Sequence, residues 1–373
     1  MEIQPGSEAF CSPTDRPSVL ILGAGPAGLS LGHELWRRGL SFLILERGET
    51  AGDSWRQMPS AFKLVSPWKT NRLPGSAPRL FPAHGALSAA DYFGYLKRYA
   101  AESRWPIFTD VEVVSVRQSQ GGFVVAATRC EWTVPVVVNA TGYFANPYVP
   151  TLSGAAQSII PQLHYASFQS AEKARQMVGK RVGRILIVGK RLSAGQIMVE
   201  LADKGFEVGL SFRPPLEFGP EPLRWWIIFR VLPWIEWWKL RAGAHTQKTN
   251  VPMLGGRTRQ LIERNVVKVF PPINRFEERQ IVFSDGARWE PDLVIYATGF
   301  RPALRHLAPL ALTLNPQTGL PRTHGFESAE VRGLFFLGLD QLHNFQSRFL
   351  RGIRHDASLL AEQLARRRAE WAI

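Results

Sequence analysis

Short unbroken apolar runs, each closed by a glycine or a helical stretch, set the rhythm of this chain. Ser18-Val-Leu-Ile-Leu22 ends at Gly23, and Phe42-Leu-Ile-Leu45 follows Ala27 to Arg38, whose apolar residues recur at helical spacing before Gly39. Runs that are apolar on both faces suit strands buried in a parallel sheet, so strand, helix and strand make one β-α-β unit. The order recurs at Ile185-Leu-Ile-Val188, Gly189, a helix from about Ser193 to Lys204, and Val208-Gly-Leu-Ser-Phe212. Two such units predict an α/β chain with two Rossmann-like dinucleotide-binding domains. The first unit opens the chain, and the apolar run Gly333-Leu-Phe-Phe-Leu-Gly338 follows the second. One domain is therefore expected to be inserted in the other.

Two further stretches share an ending: Val136-Val-Val-Asn-Ala-Thr-Gly142 and Asp292-Leu-Val-Ile-Tyr-Ala-Thr-Gly299. Each reads as a buried strand closed by small residues that let the chain turn beside a nucleotide or cross between domains. The crossings are placed there, with Thr141, Gly142, Thr298 and Gly299 as cofactor-binding candidates.

Gly23-Ala-Gly25-Pro26-Ala27-Gly28 has the G-x-G-x-x-G spacing directly after a strand and at the head of a helix. Gly23 permits the tight turn, Gly25 lets the backbone approach a pyrophosphate, and Gly28 permits close packing of helix on strand. The helix N-terminus then faces the phosphates. Glu46, closing the second strand beside Arg47, can accept hydrogen bonds from ribose hydroxyls. The ligand reads as FAD rather than NAD, because the loop Gly52-Asp-Ser-Trp55-Arg56 follows where a simple dehydrogenase has a third strand. Such a loop can cover a flavin ring, while Trp55 by itself fits core packing equally well.

The second turn reads Gly189-Lys-Arg191-Leu-Ser193-Ala-Gly195, with Arg191 where the fingerprint has its second glycine. That side chain either obstructs a pyrophosphate or swings aside and pairs with it. Arg213, at the end of the second strand, stands where a 2′-phosphate is held and favours NADPH over NADH. A Rossmann relic without nucleotide is the other reading of this lobe.

Over residues 18 to about 365 the chain resembles the flavin-containing monooxygenases, and among them the plant YUCCA-type enzymes and their bacterial relatives. Beyond the two turns, the resemblance rests on Lys63-Leu-Val-Ser-Pro67-Trp-Lys-Thr-Asn71-Arg-Leu-Pro74, Tyr92-Phe-Gly-Tyr95-Leu-Lys-Arg-Tyr99-Ala100 and Ala297-Thr-Gly-Phe-Arg-Pro302. Gly338 and Asp356-Ala357 resemble the closing flavin segment. The family's F-x-G-x-x-x-H-x-x-x-F/Y signature is present as His164 and Phe168, with Ser158 and Ile160 replacing the Phe and Gly. The resemblance implies an FAD-binding domain over 18–150 and 300–373, and an NADPH-binding domain over 151–299 inserted in it. It implies that NADPH reduces FAD, that oxygen adds at the flavin C4a, and that the hydroperoxide passes one oxygen atom to a small hydrophobic or aromatic substrate. Asn71 is the candidate catalytic donor at the flavin edge, or a structural hydrogen-bonding residue. His164 is implied as a linker that orders the domains, or an ordinary loop histidine. Two alternatives stay open: an NADPH-independent flavin oxidase or dehydrogenase, and a non-catalytic flavoprotein that docks on a partner or membrane.

Composition narrows this further. A formal charge of +14 over 373 residues predicts attraction to anions, and no nucleic-acid motif accompanies it. Arg366, Arg367 and Arg368 read as a solvated helix end. Cys11 and Cys130 show no CxxC or metal-ligand spacing, which argues against a disulfide framework, a metal site and a dithiol reductase, and fits a cytoplasmic chain. Residues 1–17 read as a flexible lead without a secretory pattern. The segment 224–238, with five tryptophans, reads as a channel roof or a peripheral membrane contact, broken by Arg230, Pro233 and Glu236 against spanning. Oligomeric state has no signature here.

Overall fold

The computed structural model describes residues 17–76, 87–179, 182–219 and 251–371; the segment 224–238 and nearly all of the 1–17 lead lie outside them. β1 (Val19–Leu22), α1 (Pro26–Arg37) and β2 (Phe42–Leu45) form the expected first unit. Two single-turn helices, α2 (Asp53–Arg56) and α3 (Trp68–Asn71), lead to α4 (Ala89–Ser103) and β3 (Ile107–Phe108). The antiparallel β4 (Val113–Ser119), β5 (Gly122–Ala127) and β6 (Glu131–Val134) precede β7 (Val136–Asn139). Next come β8 (Gln162–His164), α5 (Ala171–Val178), β9 (Arg184–Val188), α6 (Leu192–Asp203) and β10 (Glu207–Ser211). After α7 (Arg257–Glu263) and β11 (Val267–Phe270), a second meander runs through β12 (Ile273–Phe276), β13 (Ile281–Phe283) and β14 (Arg288–Trp289) to β15 (Leu293–Tyr296). The chain closes with β16 (Thr323–His324), β17 (Glu327–Ser328), β18 (Leu334–Phe336) and α8 (Leu350–Arg366).

The larger sheet has the order β16-β17-β18-β7-β1-β2-β3, and its strands from β18 to β3 are parallel. The second sheet, β11-β10-β9-β15-β8, is parallel throughout. β18 returns to the first sheet after the second is complete, so the fold is a two-domain α/β arrangement with one Rossmann-like lobe inserted in the other. The strands read as four-residue apolar runs because both faces are covered: every residue of β1, β2, β7 and β15 except Asn139 is apolar and buried. β1 lies between β2 and β7, where the strand order reverses, and the crevice beyond such a point is the usual ligand site in open α/β sheets.

α8 buries Ile353, Asp356, Ala357, Leu360, Ala361 and Leu364, an inward stripe at helical spacing. Its C-terminus is solvated at Arg366 and Arg368, as expected, but not at Arg367. Arg367 is bonded to Glu327 at 2.6 Å and its guanidinium lies 4.3 Å from the Trp371 ring, so the last turn is tied to β17. Cys130, at the β5–β6 turn, is disulfide-bonded, which corrects the reading of two isolated thiols, since spacing along a chain does not fix distance in space. Among the described residues no helix is long and apolar enough to cross a membrane. No cluster of three or more His, Cys, Asp or Glu there is placed to hold a metal ion.

Candidate functional site

The first glycine turn has the geometry its spacing demands. Gly23 sits at φ +104, and a Cβ there would lie 2.9 Å from the Ala140 carbonyl oxygen at the end of β7. A Cβ on Gly28 would stand 1.9 Å from the Gly23 carbonyl, so only glycine lets α1 begin this close to β1. Gly25 is different: a Cβ there would meet nothing within 4 Å. The space over Gly25, at the head of α1 with Pro26 in its first turn and Ala27 behind it, is open to a pyrophosphate. Glu46 borders it. Its Oε2 accepts from the Ala24 N–H at 2.7 Å and its Oε1 from the Gly48 N–H at 2.9 Å, which aims the carboxylate across the turn. Burial pushes this carboxyl up, and the two backbone donors pull it back. Arg47 beside it is exposed.

The closing segment returns to this turn. At Gly338, with φ +79, a Cβ would lie 3.1 Å from Ala27 and 3.7 Å from Ile353, so β18 ends directly against the first turns of α1 and α8. One turn along α8, Asp356 is fully buried, and neither carboxylate oxygen closes a hydrogen bond of good geometry. Burial raises it to about 7, with the Ser347 hydroxyl acting weakly the other way. A buried carboxyl held by no more than a poorly aligned Ser347 hydroxyl, beside a nucleotide turn, has hydrogen-bonding capacity left for a ligand. These features, open Gly25, pinned Glu46 and under-bonded Asp356, fit a dinucleotide with a polar ring system.

Trp55, expected to cover a flavin ring or to pack in the core, lies in the segment that returns to the glycine turn. The Gly52 N–H donates to the Ala24 carbonyl at 2.9 Å, which seats α2 on the glycine turn. The Trp55 ring is held among Tyr92 at 4.5 Å, Phe62 at 5.8 Å and Phe144 at 5.8 Å, so packing and proximity to the crevice coexist in one residue. Asn71 is buried; its Oδ1 accepts from the Ser66 hydroxyl at 2.7 Å and its Nδ2 donates to the Ser66 carbonyl at 3.1 Å. This leaves one Nδ2 hydrogen uncommitted. The structural role is therefore established by geometry, with a donor to spare.

The two Ala-Thr-Gly turns lie side by side. Tyr148 donates to the Gly299 carbonyl at 3.0 Å, Arg301 to Asn146 at 2.9 Å and Ala303 to Gly142 at 2.9 Å. The Thr141 hydroxyl donates to the Ala303 carbonyl at 2.8 Å, and the Thr298 hydroxyl donates to the Tyr148 carbonyl. Both threonines thus clamp the paired crossings. His164, expected as a linker or a loop residue, is buried at the end of β8: Nδ1 accepts from the Ala166 N–H at 3.0 Å, and Nε2 donates to the Gly299 carbonyl at 2.9 Å. Burial lowers its pKa, and the Gly299 bond opposes that. It is a neutral strut between β8 and the second crossing.

The second turn keeps the strand but not the approach. Gly189, at φ +155, would place a Cβ 2.5 Å from the Ala297 carbonyl, so it serves β15 as Gly23 serves β7. Arg191 caps α6 in extended backbone, with Ser193 in the first turn. Its side chain is solvent-accessible yet enclosed enough for burial to lower its pKa, and it feels Arg348 and Asp340 of the other lobe. Asp340 binds Arg348 at 3.2 Å and accepts from the Tyr143 hydroxyl at 3.0 Å. Tyr143, Asp340 and Arg348 were missed in the sequence; the pointers were the aromatic pair directly after Gly142 and the acid two residues after Gly338. Arg213 is exposed beyond β10, with no partner among the described residues.

The family described as pyridine nucleotide-disulphide oxidoreductase matches residues 20–338, and the chain belongs to that family. The uncharacterized oxidoreductase CzcO of Bacillus subtilis is 27% identical over 353 residues, covering 93% of this chain and 98% of that protein. Rice (Oryza sativa subsp. japonica) indole-3-pyruvate monooxygenase YUCCA4 is 24% identical over 403 residues, covering 95% and 88%. A flavin-containing monooxygenase from Stenotrophomonas maltophilia shares the fold with a TM-score of 0.80 at 24% identity, covering 95% of this chain and 99% of that one. The resemblance drawn from the sequence is borne out by these relatives.

Proposed function

We propose that the chain is an FAD-dependent, NADPH-reduced monooxygenase that places one atom of dioxygen on a small hydrophobic or aromatic organic substrate. The observation that carries this reading is the contrast between two unlike turns at the heads of two Rossmann-like helices. Gly25 leaves open space at the head of α1, while the Arg191 side chain at the head of α6 is close enough to Arg348 and Asp340 of the other lobe to feel their charges. A flavin bound at the first turn supplies the redox chemistry, taking a hydride from a nicotinamide and activating oxygen.

The chain's own residues bind, orient and exclude water. Gly23, Gly25 and Gly28 admit the pyrophosphate, Glu46 takes the ribose hydroxyls, and Asp356 finds its partner on the bound ring system or ribityl chain. Arg191 pairs with the nicotinamide dinucleotide's phosphates, and Arg213 takes the 2′-phosphate. The spare Asn71 N–H offers a hydrogen bond at the reacting edge. Trp55, Phe62 and Phe144 form a dry wall that slows loss of the activated oxygen to water. The paired crossings and His164 hold the lobes in the register this needs.

The test is anaerobic mixing of the purified yellow protein with NADPH, followed by admission of oxygen. Bleaching by NADPH and a delayed return of the oxidised spectrum support the reading. A flavin that NADPH leaves oxidised overturns the NADPH half and favours the oxidase alternative, which an obstructing Arg191 also explains.

A further inference from the structure

A row of aromatic rings leads away from Trp55, and beyond Trp55 itself the proposed function does not use it. Ser88 caps α4 through a reciprocal bond with Asp91, at 3.1 and 3.0 Å, which fixes where the helix starts. Tyr92, Tyr95 and Tyr99 then share one buried stripe. Trp55 lies 4.5 Å from Tyr92 by ring centres, Tyr92 lies 5.6 Å from Tyr95, and Tyr95 lies 6.0 Å from Tyr99. Trp68 stands edge-on to Tyr95 at 4.9 Å.

The three phenols differ in one respect. Tyr92 donates to the Asn71 carbonyl at 3.0 Å and Tyr99 to the Pro74 carbonyl at 2.6 Å. A carbonyl of this kind cannot keep a proton, so neither phenol can lose its hydrogen there. Tyr95 accepts from the Leu73 N–H at 2.7 Å and bonds the hydroxyl of half-buried Ser76, which can pass a proton on. Arg72 and Arg354 lie close enough to favour a departing proton, although burial dominates in the resting phenol.

The geometry points to Tyr95 as the resting place of an oxidising equivalent that escapes the flavin crevice, with Trp55 as first electron donor and the Tyr92 ring as bridge. This rests on the flavin reading above. Trp55 loses one electron to a one-electron oxidant in the crevice, here the photoexcited flavin, and becomes a radical cation. Tyr95 returns one electron to Trp55 as its phenolic proton passes to the Ser76 hydroxyl, whose own proton goes to water. The products are singly reduced flavin, neutral Trp55, a neutral Tyr95 radical and hydronium. A thiol in solution resets Tyr95 by giving up one electron and one proton, the proton returning through the Ser76 hydroxyl, and is itself left as a thiyl radical. The route draws stray oxidation away from the substrate wall.

The test is flash photolysis of the flavin-loaded protein, with radicals assigned by transient absorbance and by electron paramagnetic resonance of protein made with deuterated tyrosine. The expected result is a long-lived tyrosyl radical. It is lost in Trp55→Phe, where the flavin excited state also lives longer. In Tyr95→Phe it is replaced by a tryptophanyl radical that decays by charge return, and Tyr92→Phe keeps it. Ser76→Ala leaves the phenol ring and its packing in place and lowers the tyrosyl yield, which keeps the test decisive if Tyr95→Phe folds poorly. A tyrosyl signal that survives Tyr95→Phe, a tryptophanyl radical alone in the unaltered protein, or unchanged quenching in Trp55→Phe overturns the assignment. A protein that purifies without flavin and binds none overturns the functional reading itself.

Discussion

The same backbone position in the two nucleotide turns is held by Gly25 in one lobe and Arg191 in the other. Both sit in ordinary extended conformation just before a helix, at φ −79, ψ −172 and φ −113, ψ −170. Neither position requires glycine for backbone reasons. What differs is the side chain: none at Gly25, where a Cβ would meet open space, and at Arg191 a half-enclosed guanidinium that feels the charges of Arg348 and Asp340. The fingerprint's third position diverges in the same sense. Gly28 admits no Cβ, whereas five residues after Gly189 stands Ala194, fully buried and tolerated. The first turn leaves room for close backbone approach, and the second carries a charged side chain at the equivalent place.

The largest effect follows from filling the open space. Gly25→Val meets no protein atom within 4 Å at its Cβ, so the apoprotein should melt where the unaltered apoprotein does. Flavin binding should weaken by on the order of 5 kcal/mol, from two lost charge-assisted hydrogen bonds to phosphate. Flavin content after gel filtration checks this, and a fully yellow variant would break the contrast between the turns.

Asp356→Asn comes next, because the first lobe carries a buried acid with no well-aligned hydrogen bond. Its folded pKa of about 7 exceeds the ordinary 3.8, so the folded protein holds the proton more tightly than the unfolded chain. Its contribution is full below about pH 4 and is lost as pH rises through about 7. The shift of about three units corresponds to at most about 4 kcal/mol. Urea unfolding of flavin-free protein across that range should show the asparagine variant lacking this fall. Identical pH profiles would show that Asp356 is already satisfied.

These contrasts bear on what the chain discloses before it is folded. The β-α-β units, the glycine turn and the insertion were legible because apolar runs closed by glycine have few other uses. The crossings were legible as a repeat, Ala-Thr-Gly twice, but not their pairing, since Tyr148 to Gly299 and Ala303 to Gly142 join residues far apart in sequence. For the same reason Tyr143, Asp340 and Arg348 escaped notice: each is an ordinary residue until the fold brings them together. His164 was legible as a position but not as a strut, because a histidine's role depends on what its two nitrogens meet. The disulfide at Cys130 was missed for the same lack of spatial information.

Arg191→Ala tests the second turn directly. If the guanidinium pairs with phosphate, its loss should raise the KM for NADPH by an amount worth about 2 kcal/mol, with flavin content unchanged. A lowered KM would show that the side chain obstructs. That outcome would make the two turns alike in purpose and the arginine a block.

The smallest effect is expected at Arg213, and it discriminates most finely. The residue is exposed past the end of β10 and has no partner among the described residues, so its removal should leave folding untouched. An exposed pairing with a phosphate is screened by water and salt, and about 1 kcal/mol is the scale of such a contact. Arg213→Ala should therefore reduce the preference for NADPH over NADH roughly five-fold while leaving NADH itself unaffected. The measurement is the ratio of flavin-reduction rates with the two nucleotides at low and moderate salt. The difference between protein and variant should shrink as salt is added, because only the 2′-phosphate contact is screened. A ratio that does not move at either salt would place 2′-phosphate recognition elsewhere, and would leave Arg191 as the second lobe's principal charge for a nucleotide.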